Sequence, residues 1–354
     1  MSDSFYVFQC LLLCDGHAKK KNVVLSPSLV RIVLKYYKMY NSQALLIGGH
    51  GSNSSVKGGY RCILIDTRFN ITRFNMHDER SRDQLLDRSL HASARRKDGS
   101  IIVCGGLDEL TTLKSCVIIR YVECMLDISM AADMCMPRAF HSVSTLNNGR
   151  VLACGGYTDP SDDTSSCEVY DWLRNEWLQI GPLLPRALSE HSATVLANGD
   201  VLVIGGQSRG IVFSECVLIK VETMTLKVRV VASMGQARKG HASVLLPSGR
   251  VFVAGGSFFP DDRMDAQSLS SCESYCPYED KWYAEPPMIH ARSRHAMAVI
   301  ADKIVVIGGR PYDTVKNESF SLETQRWTEL PKELQFMNVQ GSTLELVPKF
   351  SNAK

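Results

Sequence analysis

One spacing governs what this chain can fold into. Gly-Gly pairs close short apolar runs at Gly48-Gly49, Gly105-Gly106, Gly155-Gly156, Gly205-Gly206, Gly255-Gly256 and Gly308-Gly309. The steps between them are 57, 50, 50, 50 and 53 residues. A histidine keeps the same register at His91, His141, His191, His241 and His295. A fixed period of this size is the mark of a repeat architecture, and each repeat must bury its apolar face against the next.

Within one period the pattern is that of short strands. HSATVL (191–196) alternates, Asn198-Gly199 turns the chain, and VLVIGG (201–206) follows. An Asn-Gly between apolar runs is a strong hairpin signal. It returns as Asp98-Gly99, Asn148-Gly149 and Ser248-Gly249. CEVYD (167–171) and EWLQI (176–180) supply two more strands in their own period. Four antiparallel strands per unit, repeated six times, predict an all-β propeller.

The Gly-Gly pair with an aromatic-x6-Trp pair resembles the kelch motif. Tyr170/Trp177, Tyr275/Trp282 and Phe320/Trp327 carry it. Ile65/Thr72, Ile119/Leu126 and Ile219/Leu226 stand at the same spacing in the other units, which keep the glycines and lose the aromatics. The resemblance covers residues 43–347 and implies a six-bladed kelch-type β-propeller with four antiparallel strands per blade. Residues 1–42 form a non-repeat N-terminal segment and 348–354 a C-terminal tail. GSTLELV (341–347) reads as a first strand lacking its second, and QALLIGG (43–49) as a second lacking its first. Ring closure by the C-terminal strand joining the N-terminal blade is therefore expected. The alternative is an inner strand from residues 34–39.

The net charge of +3 is too mild to imply nucleic acid or a membrane surface. No apolar run reaches 18 residues, so none spans a bilayer as a helix. FYVFQCLLLC (5–14) makes a poor secretion signal, with Asp3 where positive charge is expected. Of twelve cysteines, Cys62, Cys116, Cys167, Cys216 and Cys272 share one register position, and Cys104 and Cys154 another that elsewhere holds Ile or Ala. Those are apolar packing positions. No CxxC pair points to zinc, and unpaired cysteine suits a reducing, cytoplasmic location. Asn53, Asn70 and Asn317 begin glycosylation sequons. Asp83-x3-Asp87-x3-His91 resembles the iron motif of nitrile-specifier kelch proteins, but Asp83 replaces the Glu and the repeat already accounts for His91. The acids at 159–163 and 261–265 lack EF-hand spacing. No metal, cofactor or catalytic group is expected.

Arginine is the more informative residue. Arg88, Arg138, Arg238 and Arg292 each stand three residues before a register His. The fourth blade has Leu188 there, with Arg186 two residues earlier, and Arg294 and Lys239 add charge beside two of the others. These positions fall in the loops leading from one blade's outer strand to the next blade's inner strand. The expectation is a circle of guanidinium groups at one mouth of the ring, with Tyr157, Phe258, Phe259 and Tyr312 as apolar anchors on the same face. Arginine forks bind carboxylates bidentately. The resemblance to kelch substrate receptors of ubiquitin ligases implies a protein-interaction module that holds an acidic peptide there. No BTB or F-box segment is recognisable in 1–42, so an adaptor role would need a partner subunit. Two other readings compete: a sugar-processing kelch enzyme like the sialic-acid mutarotases, and an actin-associated structural propeller. Bracing of each blade by its own arginine is the structural counterpart of the binding-site reading.

Overall fold

A computed structural model describes residues 42–47, 50–51, 62–66, 71–73, 88–108, 111–122, 125–158, 162–222, 226–260, 265–311, 316–335, 339–340 and 343–348. Six four-stranded antiparallel sheets form the blades. Their inner strands are Thr343–Pro348, Ala92–Arg95, Ser142–Thr145, Ser192–Val195, Ala242–Leu245 and Ala296–Ile300. Each touches the next, and the last returns to the first, which closes the ring.

Closure falls in blade one, as the sequence implied. Thr343–Pro348 pairs antiparallel with Ser42–Ile47, from Ile47↔Thr343 to Ser42↔Pro348. The innermost place is thus filled by the C-terminal strand, which covers the inward edge of Ser42–Ile47. Residues 34–39 lie outside the described residues. Pairing of residues 42–47 with 343–348 thus joins the two ends of the repeat array in one sheet.

The second strands of blades two to five are buried throughout. Ile101–Cys104, Val151–Cys154, Val201–Ile204 and Val251–Ala254 are buried at every position. They lie centrally in their sheets, with blades packed on both faces, so the sequence is continuously apolar instead of alternating. The core is therefore a set of layers between blades. One layer joins Ile102, Cys104 and Cys116 of blade two to Val151, Ala153, Tyr170 and Trp177 of blade three. Each fully buried Val or Ile contributes roughly 1.5–3 kcal/mol.

The aromatic pairs do the same work at the outer edge. Tyr170 and Trp177 are cross-strand partners with ring centroids 5.3 Å apart. The indole Nε1–H of Trp177 donates to the Ala132 carbonyl, just past blade two's outer strand, at 3.1 Å. Trp282 and Trp327 repeat this with Ala232 and Pro286, each at 2.8 Å. In the remaining blades the seven-residue spacing does not hold. Ile119 faces Ile128, Ile219 faces Val228, and Ile65 faces Ile71. Without the aromatic pair the outer hairpin takes a different length, and aliphatic contacts replace the indole.

Candidate partner-binding face

The four repeated arginines are not open at the mouth. Arg138, Arg238 and Arg292 are 0% exposed and Arg88 is 3% exposed. Arg138 Nε and Nη2 donate to Glu168 Oε1 at 3.0 and 2.9 Å, and Nη1 donates to the Gly155 carbonyl at 2.7 Å. Arg238 holds Glu273 and the Gly255 carbonyl, both at 2.7 Å. Arg292 holds Glu318 at 2.7 Å and the Gly308 carbonyl at 2.9 Å. Arg88 donates to the carbonyls of Gly105 and Ser115 at 3.0 and 2.9 Å.

Arg138, Arg238 and Arg292 are staples between blades. The Arg138 backbone docks on blade two, donating to the Leu113 carbonyl and accepting from Gly106, while its guanidinium enters blade three. Arg238 repeats the arrangement between blades four and five, and Arg292 between blades five and six. The expected ring of ligand-binding guanidiniums at Arg88, Arg138, Arg238 and Arg292 is corrected accordingly. A buried cation needs a matched acceptor, and Glu168, Glu273 and Glu318 are placed for that. Blade four omits both members: Leu188 and Val217 stand where the arginine and glutamate would be, and they pack in one apolar cluster.

The histidines join blades too. His191 Nε2 lies 2.9 Å from Ser142 Oγ, His241 Nε2 lies 2.9 Å from Ser192 Oγ, and His91 Nε2 lies 3.2 Å from Thr343 Oγ1. Each hydroxyl comes from the preceding blade's inner strand. Ala92 and Ala242 occupy that position before His141 and His295, whose Nε2 atoms make no hydrogen bond within the protein. Burial lowers His91 and His295 to about 3 and His191 to about 4, and holds His141 and His241 well below the usual range. The Gly pair makes room for this crossing. A Cβ on Gly155 would meet the Leu188 carbonyl at 2.5 Å and His191 Cε1 at 2.9 Å, and φ is +61° there.

The mouth itself belongs to the residue just before each histidine. Leu90, Phe140, Glu190, Gly240 and Arg294 all have φ between 53° and 59°. Their backbones form a circular ladder: Phe140 N–H donates to Leu90, Glu190 to Phe140, Gly240 to Glu190 and Arg294 to Gly240. This turn aims the side chains of Leu90, Phe140, Glu190 and Arg294 at one opening, with a gap at Gly240. Arg294 Nε and Nη2 donate to Glu190 Oε2 and Oε1, both at 3.0 Å, passing over Gly240. The Arg294 guanidinium also sits 4.8 Å from the Phe140 ring centroid. Lys239 Nζ lies 3.7 Å from Glu190, donates to Gln207 Oε1 at 2.7 Å, and rests 4.5 Å over the Phe259 ring. Burial lowers the Lys239 pKa, and the neighbouring Glu190 opposes that shift. Two cations thus share one carboxylate beneath the loop face.

Of the other expected residues, Tyr157, Phe258 and Phe259 are half-buried on the loops of this face. Arg186 pairs with Glu215 at 2.5 Å and covers Phe213, away from the mouth cluster. Tyr312, Asp83, Asp87, Asn53 and Asn70 lie outside the described residues. Asn317 is 0% exposed and donates to the Leu334 carbonyl, so that sequon is closed to glycosylation in the fold. Glu190, Gly240 and Gln207 escaped the sequence reading, which names Lys239 only as added charge beside Arg238. Their only signal was register: they flank the histidine and the Gly pair, where residue type changes in every blade.

Below the mouth runs an axial channel of about 550 Å³, walled by the inner strands. Ser144, Thr194, Ser243 and Glu345 are among its polar lining. Ser93 Oγ donates to Glu345 at 2.6 Å, and burial raises the Glu345 carboxyl. Among the described residues no group of three or more His, Cys, Asp or Glu is placed to hold a metal ion.

The profile of the Kelch motif matches residues 137–184, 238–289 and 291–332, which are blades three, five and six with their lead-in segments. The chain is a kelch-repeat propeller. Human Kelch-like protein 34 is 29% identical over 177 residues, 47% of this chain and 26% of that protein. Zebrafish (Danio rerio) Kelch-like protein 15 is 28% identical over 181 residues, 46% of this chain and 30% of its own length. The aligned part of the kelch propeller thus spans less than a third of these relatives. The solved structure of YjhT superposes with a TM-score of 0.61 at 13% identity, over 76% of this chain and 91% of that one, which shows the shared fold. No helix among the described residues is long and apolar enough to cross a membrane.

Proposed function

We propose that this kelch propeller is a protein-interaction module whose loop-face mouth receives an acidic segment of a partner, in a reducing, cytoplasmic setting. The observation that carries the reading is the sharing of Glu190 by Arg294 and Lys239. One carboxylate balances one cation, so a partner carboxylate meets a net positive charge on cations that Glu190 holds in place. Phe140 and Phe259 line the two cations with ring surface, and half-buried Tyr157 lies on a loop of the same face. Desolvated aromatic and arginine groups dominate protein interfaces. A ligase component as the partner accords with the kelch-like relatives.

The test is capture of immobilised Asp/Glu-rich peptides by wild type and by Arg294→Ala with Lys239→Met. Hydrogen bonds to charged groups contribute about 1.5–3 kcal/mol, so the double variant should bind at least about tenfold more weakly. Its thermal transition should remain cooperative, and wild-type binding should weaken with added salt. Undiminished capture by the folded double variant sinks the reading. Co-sedimentation with filamentous actin tests the structural alternative.

The axial channel favours a second reading, small-molecule processing. Its carboxyl, Glu345, faces hydroxyl-bearing walls. A reducing-sugar anomerisation assay on wild type and Glu345→Gln decides it: turnover lost in the variant supports an enzyme, and no turnover in wild type removes that reading.

A further inference from the structure

Blades two and three differ from the rest at one rung. The last residue of the second strand faces the first residue of the third as Ile47/Cys62, Ile204/Cys216 and Ala254/Cys272 in blades one, four and five. In blades two and three both places are cysteine: Cys104/Cys116 and Cys154/Cys167. The Cys154 and Cys167 sulfurs lie 3.1 Å apart as free thiols. At the neighbouring rung Gly155 N–H donates to the Ser166 carbonyl at 3.0 Å. The cysteines therefore occupy a non-hydrogen-bonded site, where facing Cα atoms sit about 4.5 Å apart. That spacing lies inside the range a disulfide bridges. Gly105 donates to Ser115 in the same way in blade two.

A buried guanidinium stands beside each pair. Arg138 Nη1 donates to the carbonyls of Gly155 and Ser166, the residues adjoining Cys154 and Cys167. Arg88 makes the equivalent bonds to Gly105 and Ser115. A nearby cation favours thiolate, the reactive form of cysteine. The hydrogen bond with Cys154 and the Arg138 charge hold the Cys167 thiol below its usual range, while that bond and burial raise Cys154. Cys167 is thus the attacking sulfur.

We propose that Cys154/Cys167, and by the same geometry Cys104/Cys116, are reversible dithiol–disulfide sites at the roots of two adjacent loops on the loop face. The oxidant is a hydroperoxide. The Cys167 thiolate attacks the terminal peroxide oxygen, the O–O bond breaks, and the departing oxygen takes up a proton to leave as water or an alcohol. This gives a sulfenic acid on Cys167. The Cys154 sulfur then attacks the Cys167 sulfur, the S–O bond breaks, and hydroxide leaves as water with the Cys154 proton. Two electrons from the two sulfurs reduce the peroxide, and an external thiol reverses the reaction. The disulfide ties off the loop 155–166, which carries Tyr157, and its counterpart ties off 105–115. The chemistry is independent of what the mouth binds, so it stands or falls apart from the acidic-partner reading.

Peptide mapping tests it on the full chain. The native protein is treated with hydrogen peroxide, unfolded, alkylated and cut with trypsin. The tryptic peptide 151–174 contains both Cys154 and Cys167 and no other cysteine. It should lose two hydrogens and take no alkyl group, and dithiothreitol should restore two alkylatable thiols. Peptides 98–114 and 115–120 should emerge joined through Cys104 and Cys116. The Cys167→Ser variant should leave Cys154 open to alkylation. The proposal is overturned if exposed Cys135 oxidises while peptide 151–174 takes two alkyl groups, or if Cys167 reaches sulfinic acid without bridging.

Discussion

Arg294 clamps Glu190 at 3.0 Å across a gap that Gly240 leaves between them. The two residues lead into blades six and four, so their fork spans blade five at the channel mouth. A Cβ on Gly240 would lie 3.1 Å from Glu190 Oε2 and 3.2 Å from Arg294 Cγ, at a φ of +59°. Gly240→Ala should lower stability by about 1–2 kcal/mol through the left-handed backbone alone. Urea unfolding measures this, and an unchanged midpoint would show that the clamp does not depend on the missing side chain.

The arginine staples should behave as a buried framework. Arg138→Ala leaves Glu168 buried with no cation and should cost about 3–5 kcal/mol. Blade four supplies its own control, because Leu188 and Val217 stand in place of such a pair. Arg138→Leu with Glu168→Val should therefore recover most of the loss. Thermal melting of the three proteins checks this, and a double variant as unstable as Arg138→Ala would refute it.

The orphaned imidazoles can be supplied with partners. Ala92→Ser places a hydroxyl before His141 at the position Ser142 holds before His191, and Ala242→Ser does so for His295. Each should raise stability by about 0.5–1.5 kcal/mol, the usual net worth of a hydrogen bond. Ser142→Ala should lower it. Denaturant midpoints of the three variants give the signs.

Acid should unfold the ring through its histidines. The folded pKa values of about 3 to 4 for His91, His191 and His295 lie below the unfolded value of 6.5. Above about pH 6.5 both states are neutral and nothing is lost. As pH falls from there toward 4, the unfolded chain binds protons that the fold refuses, and each histidine costs up to about 1.4 kcal/mol per pH unit. Melting temperatures at pH 7, 6 and 5 should fall steadily, and His191→Gln should flatten the slope.

Removal of residues 343–354 should open blade one. Its second strand, Ser42–Ile47, would lose the partner that shields Leu344's neighbours Ala44 and Leu46. The truncated chain should lose its cooperative transition and self-associate through the exposed edge. Light scattering and calorimetry report both effects, and a monomer melting like the full chain would show that the ring closes by other means.

Sequence alone determined the architecture. A 50-residue period, hairpin glycines, apolar second strands and the incomplete strand sets at 43–49 and 341–347 are local properties, and each dictates local geometry. They led to six blades and to the strand that closes the ring. What sequence could not decide was which repeated side chain faces the opening. Arg138 and Phe140 are two residues apart in one loop, yet the first turns into the blade interface and the second to the mouth. That choice is made by the left-handed backbone at Leu90, Phe140, Glu190, Gly240 and Arg294 and by buried carboxylates some 30 residues downstream. The clamp of Glu190 by Arg294 joins residues 104 positions apart. Only closure of the ring brings such residues together, because their proximity is a property of the circle and of no segment within it.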